Sequence, residues 1–130
     1  MATPADWKAT GEGRMTDAQR RMLNGVCGDL AAQLSWHGNR LTKDDWRHML
    51  AGTMLGWRMM PAIDRGEGAA GFIMLGGSSL NLSKSQAAEA ITQALVIGDD
   101  PESQGITSPA VRWSDAVLHG LGFNPADLAA

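Results

Sequence analysis

Apolar residues return at intervals of three, four and seven between residues 15 and 34: Met15, Met22, Val26, Cys27, Leu30 and Leu34. That spacing lines one face of an amphipathic helix. Thr16 stands at its start as an N-cap, with Asp17 in the first turn, where a negative charge meets the positive end of the helix dipole. Trp36-His37-Gly38-Asn39 is expected to stop it, because glycine and asparagine both tolerate the left-handed backbone of a helix end. A second helix restarts at Thr42, where Thr42-Lys43-Asp44-Asp45 approximates a capping box. Trp46, Met49, Leu50, Thr53, Met54 and Trp57 trace its face, and Pro61 marks its end. Two helices with so short a connection are expected to pair as a hairpin.

The pattern then changes. Asp64 to Gly71 is glycine-rich and reads as a turn or loop. Phe72-Ile73-Met74-Leu75, bounded by glycines, reads as a strand, with Leu80-Asn81-Leu82 as a possible return strand. Ser83-Lys84-Ser85-Gln86 matches a capping box and opens a third helix through Ala87, Ala90, Ile91, Ala94, Leu95 and Ile97, with Gly98 as its expected stop. Residues 99–112 read as loop, and Ser114 as the N-cap of a last short helix through Leu121. The expected fold is α+β: a helical hairpin, a small β element and further helices. Residues 1–14, polar and aperiodic, are expected to be a flexible arm, and 15–130 a single domain.

Charge modifies this picture more than composition does. The net charge of −3 argues against a nucleic-acid partner taken alone, but its distribution is uneven. Residues 1–65 hold nine lysines and arginines against seven acids, whereas residues 66–130 hold two against seven. Such asymmetry permits a basic face on an acidic protein. The single cysteine, Cys27, cannot form an internal disulfide, and no apolar run is long enough to span a membrane. A reducing, cytoplasmic setting is the expectation.

The motifs that carry chemistry elsewhere are weak here. Gly66-Glu67-Gly68-Ala69-Ala70-Gly71 spells a dinucleotide fingerprint but precedes the strand instead of following it. Gly76-Gly77-Ser78-Ser79 follows a strand, yet no lysine and hydroxyl pair completes a P-loop. His37, His48 and Asp44 or Asp45 match no metal spacing, and no serine sits in a nucleophile elbow. No catalytic residue, metal or cofactor is expected. Five tryptophans without a tyrosine are unusual. Trp46 and Trp57 read first as core, whereas Trp36 and Trp113, at element boundaries, suit a core edge, a dimer interface or a platform for a stacked base.

One set of residues goes further. Gln19-x-Arg21-x-Leu23, Gly28-Asp29, Gln33, Trp36-His37-Gly38, Leu41 and Trp46 together resemble the NinB, or Orf, family of lambdoid phages. The likeness continues more loosely through Pro61, Gly71-Phe72, Gly76 and Trp113-Ser114-Asp115, and spans about residues 16–116. The resemblance implies a non-enzymatic recombination mediator that binds single-stranded DNA without sequence specificity and assists loading of a recombinase. It further implies action alongside the host single-strand DNA-binding protein, and an intertwined homodimer of α+β protomers. Two departures stand out. The lambda-type member has an additional, largely β region before the Gln-x-Arg segment, and a tryptophan where this chain has Asn24. In this frame Gln19, Arg20, Arg21, Arg40, Lys43 and Arg47 are the candidate DNA contacts, with phosphates neutralised and bases unread. Trp36, His37, Gly38, Trp46, Trp113, Ser114 and Asp115 are the family-motif positions. The alternatives are a dimeric phage interaction module without DNA binding, and a metal-dependent nuclease using His37, His48 and nearby acids.

Overall fold

The computed structural model describes residues 6–66, 68, 71–76 and 81–123. Among these residues, four helices and two small antiparallel sheets make an α+β fold in the order α1 (Asp17–Gln33), β1 (Ser35–Trp36), β2 (Asn39–Arg40), α2 (Lys43–Leu55), β3 (Trp57–Pro61), β4 (Phe72–Gly76), α3 (Lys84–Asp99) and α4 (Asp115–Gly120). Short 3-10 turns at Asp6–Lys8 and Pro101–Gln104 complete it.

Three of the helices begin the same way. Thr16, Thr42 and Ser83 each accept the backbone N–H three residues on, and Gln19, Asp45 and Gln86 each accept the cap residue's own N–H in return. Two otherwise orphaned donors are satisfied at each start, which is why those boundaries were legible in the sequence.

Helices α1, α2 and α3 pack on one another around a single core. Val26, Cys27, Leu30, Trp46, Ala51 and Ile91 are fully buried within it. Helix α3 contributes Ala87, Ala90 and Ala94, all without exposed surface, and these small side chains allow the α1 backbone a close approach.

Several expectations are corrected. Residues 6–14 are no loose arm: Trp7 is buried, its indole N–H donates to the Gly120 carbonyl, and Arg14 bridges to Ser83. Burial of the Trp7 indole and the bonds from Gln19 to the Trp7 and Ala9 carbonyls together offset the cost of ordering the segment. Helix α1 ends at Gln33 with Leu34 extended, so Gly38 and Asn39 do not cap it. His37 and Gly38, with φ of 47° and 84°, form instead the two-residue corner between β1 and β2. Both positions of such a tight turn need positive φ.

Helix α2 stops at Leu55, and Trp57 begins a strand. Gly56, at φ 89°, breaks the helical pattern that the spacing of Trp57 continues. Strand β4 pairs with β3 from Trp57↔Gly76 to Pro61↔Phe72, so its partner is not the Leu80–Leu82 segment. Of that segment Leu80 lies outside the described residues, as do Glu67, Ala69 and Ala70 of the glycine-rich motif and Gly77, Ser78 and Ser79 of the other. Gly98 does not stop α3, which runs on to Asp99. It lies beneath Trp113, whose Cζ2 is 2.3 Å from where a Cβ would stand.

Candidate nucleic-acid interface

Helix α1 lays its Asn24, Gly28 and Ala32 along α2 and the β1–β2 corner, four residues apart. Each meets one cation. Arg47 Nη1 donates to Asn24 Oδ1 at 2.7 Å. The stem of Lys43 lies over Gly28, its Cδ 3.7 Å from the place a Cβ would occupy. Arg40 Nη2 donates to the Ala32 carbonyl at 3.2 Å. Four residues of helix rise about 6 Å, so three cations are strung at one-turn intervals along the seam. Arg20 sits one turn before Asn24, and Arg21 beside it is exposed. The structure therefore brings Arg40, Lys43 and Arg47 into one row with Arg20 at its α1 N-terminal end, whereas Arg21 lines a separate recess with Asp6, Lys8 and Thr16.

Arg20 and Arg47 carry acidic neighbours. Arg20 meets Asp17 at 3.4 Å with both side chains more than half exposed, at 52% and 82%. Such a pair is worth about 0–1 kcal/mol and is readily exchanged for another anion. Arg47 is more firmly held, because its Nη2 also donates to Asp44. Asn24, unremarked in sequence except as a departure from the lambda-type tryptophan, is the acceptor that aims Arg47 along the seam.

The seam also acts on its interior. Burial pushes the Cys27 thiol up to about 12, against the weaker opposing pull of Arg47 and Lys43. Asp45 is held below the usual carboxylate range, chiefly by the Thr42 backbone N–H and then by the Thr42 hydroxyl.

Gln19 is a correction. It has no exposed surface, and its Nε2 donates to the carbonyls of Trp7, Ala9 and Lys84 at 2.9–3.0 Å. Its Oε1 accepts from Thr16 N–H. A residue so enclosed ties the N-terminal segment and α3 to α1 and cannot reach DNA.

The family-motif positions divide. Trp46 is fully buried, and Trp36 packs edge-on to it at 5.6 Å while His37 packs edge-on to Trp36 at 4.7 Å. An aromatic column thus rises from the core to the exposed corner. The Trp113-Ser114-Asp115 stretch is anchored to neighbouring helices. Trp113 Nε1 donates to Asp99 Oδ1 and Ser114 N–H to Asp29 Oδ2, each at 2.8 Å. Gln33 clamps the Arg112 backbone with two bonds of 2.7 Å, one given and one received. Ser114 lies at the N-cap of α4 but makes no side-chain cap bond, and its backbone N–H goes to Asp29. Asp115 is an exposed first-turn residue of α4. Asp29 and Gln33 are structural pins that their spacing alone did not reveal.

His37, His48 and the Asp44–Asp45 pair do not converge. Among the described residues no group of three His, Cys, Asp or Glu side chains is placed to hold a metal ion. No described helix is long and apolar enough to cross a membrane.

A second surface was missed entirely. The β3–β4 ribbon exposes Trp57, Met59, Met60, Phe72, Ile73, Met74 and Leu75, and these lie on both of its faces. At its root Trp57 covers Gly52, where a Cβ would stand 2.2 Å from the indole. The apolar content was visible in the sequence, but helical periodicity claimed half of it.

The family model described as NinB protein matches residues 7–100 of this chain. Protein ninB of Salmonella phage P22 is 26% identical over 97 residues, covering 75% of this chain and 59% of the phage protein's length. A solved structure described as NinB superposes with a TM-score of 0.56 at 24% identity, over 84% of this chain and 74% of that one. That likeness concerns the fold, and the sequence match supplies kinship over nearly three-quarters of the residues. The chain belongs to the NinB family.

Proposed function

We propose that this protein is a non-catalytic recombination mediator that binds single-stranded DNA along the α1–α2 seam. The observation that carries this reading is the row of Arg40, Lys43 and Arg47, from β2 and α2, set against successive turns of α1 and extended by Arg20. Cations repeated at helical intervals suit a run of phosphates, and nothing in the row is built to read base identity. In this reading the protein assists recombinase loading together with the host single-strand DNA-binding protein.

The working unit in this proposal is a homodimer. A two-stranded ribbon is marginally stable alone, and one that exposes seven large apolar side chains on both faces calls for a cover. A second copy supplies an identical ribbon, which matches apolar surface to apolar surface and pairs the open edges.

Fluorescence anisotropy with a labelled single-stranded oligonucleotide, across a salt series and beside the molar mass in solution, tests both halves. Four neutralised phosphates give a slope of log affinity against log salt of about −3. Affinity indifferent to salt overturns the phosphate role. A stable dimer without DNA affinity would instead favour a pure interaction module, a reading that the ion-paired Arg20 and Arg47 and the apolar ribbon support.

A further inference from the structure

Where the cation row ends, a pocket begins. It lies between the β1–β2 corner and the segment that follows the 3-10 turn Pro101–Gln104. Its volume is about 390 Å³, and Gln33, Ser35, His37, Gly105, Thr107 and Ser108 line it. That size falls within the range of clefts that hold small ligands. Gly105, at φ 73°, turns the chain beneath His37, whose Cε1 lies 3.9 Å from the place a Cβ would occupy. Ile106 is buried at its floor and fixed by its N–H bond to the Pro101 carbonyl at 3.1 Å.

The geometry points to this pocket as a receptor for one unstacked nucleobase of the DNA strand, an inference that rests on the DNA-binding reading above. Three features carry it. The first is chemical. The lining holds no lysine or arginine but offers hydroxyls, a carboxamide and an imidazole. These groups both donate and accept, which complements the mixed edge of a base and not the acceptor-only surface of a phosphate. The amide of Gln33 is held rigid by its two bonds to Arg112 and retains one donor and acceptor capacity for a ligand.

The second feature is the platform. His37 is the one non-glycine residue with positive φ among the described residues, and Trp36 packs edge-on against its ring. The backbone is thus held in a sparsely populated conformation that places an imidazole at the pocket rim. Histidine is among the side chains on which splayed bases stack.

The third is position. Ser35 in the pocket wall is the register partner of Arg40, and the Arg40 guanidinium reaches Ala32, next to Gln33. A strand whose phosphate is held at the last cation of the row has its base beside the opening.

The test separates this pocket from the phosphate row by using uncharged nucleosides. Backbone amide NMR of the intact protein is titrated with thymidine, deoxyadenosine, deoxycytidine and deoxyguanosine. Shift changes confined to residues 35–38 and 105–108 are expected, and they should vanish in Thr107→Trp, which plugs an exposed wall position. In Thr107→Trp, single-stranded DNA affinity should fall about tenfold, while the salt slope stays as in the parent. Thr107→Ala, which keeps the pocket open, should lose less.

Absence of shifts at saturating nucleoside, shifts elsewhere, or the same shifts with inorganic phosphate alone would each overturn the proposal. An unchanged DNA affinity in a folded Thr107→Trp would do so too. Failure of the parent protein to bind DNA while nucleosides still shift the pocket would overturn the DNA reading and, with it, the pocket's role on a DNA strand, leaving a site for free nucleosides.

Discussion

Replacing Gln19 by methionine keeps the volume of the side chain and removes its polar end. In the native structure that end shares its two N–H donors among the carbonyls of Trp7, Ala9 and Lys84 and accepts the N–H of Thr16. The Trp7 bond is fully buried and the other three are partly so. An orphaned buried carbonyl costs about 1–3 kcal/mol, and each partly hydrated loss about 0.5–1 kcal/mol. The expected destabilisation is therefore about 4 kcal/mol, a large share of the 5–15 kcal/mol typical of a domain.

For 130 residues the unfolding entropy near the midpoint is about 0.27 kcal/mol/K, so Tm should drop by about 15 °C. Urea melts followed by tryptophan fluorescence measure the same quantity independently. Trp7, freed from its seat, should become accessible to quencher before the global transition. DNA affinity measured well below the new Tm should be unchanged. A variant that melts like the parent yet loses DNA affinity would show Gln19 to be a surface contact, and the burial argument would fail.

Other perturbations reach the remaining features. Arg40→Gln with Lys43→Gln, both exposed positions, should flatten the salt slope of single-stranded DNA binding by about 1.4; an unaltered slope in the anisotropy series would remove them from the interface. Phe72→Asp changes a side chain that is 70% exposed in the protomer, so folding should survive while light scattering reports monomers; persistence of a dimer refutes the ribbon as its seam. Gly98→Ala drives a methyl into Trp113 and should lower stability by up to about 2 kcal/mol, overpacking of about 1–3 kcal/mol set against a helix-propensity gain of about 1 kcal/mol; calorimetry showing stabilisation would place the indole elsewhere. Cys27, raised from 9.0 to about 12, favours the protonated folded state. The stability it contributes is intact below pH 9 and is lost as pH climbs toward 12, so Cys27→Ala should flatten the alkaline limb of a pH–stability curve, and thiol reagents should stay unreactive at pH 8 until denaturant is added.

What the sequence disclosed follows the range of the forces involved. Helix starts at Thr16, Thr42 and Ser83 were readable because a capping box is complete within four residues. The apolar faces of α1 and α3 were readable because burial imposes their period. Trp57 was misread because it extends the α2 stripe by the right increment, and only the positive φ of Gly56 separates helix from strand. Gln19 was misread for a different reason. A polar residue beside two arginines belongs equally to a surface or to a capping box, and its other partners lie as far as 65 positions away. Arg40, Lys43 and Arg47 lie close together in the sequence, but their alignment along α1 depends on Asn24, Gly28 and Ala32 and has no local signature. Gly98 marked a close crossing, and Gly105 a turn beneath a histidine. Sequence alone could not tell these from a helix stop and a plain loop.

The reciprocal locks at the three long helices have a consequence for how the chain assembles. Each start point is decided by its own four residues, so nascent helices can nucleate in parallel before any of them touches another. Docking then becomes a search among preformed rods with fixed phase, and errors of register by one residue are disfavoured from the outset. The ribbon between Gly56 and Gly76 has no such local instruction. It should order last, and insertions near residues 62–66 should leave the rods and their mutual alignment undisturbed.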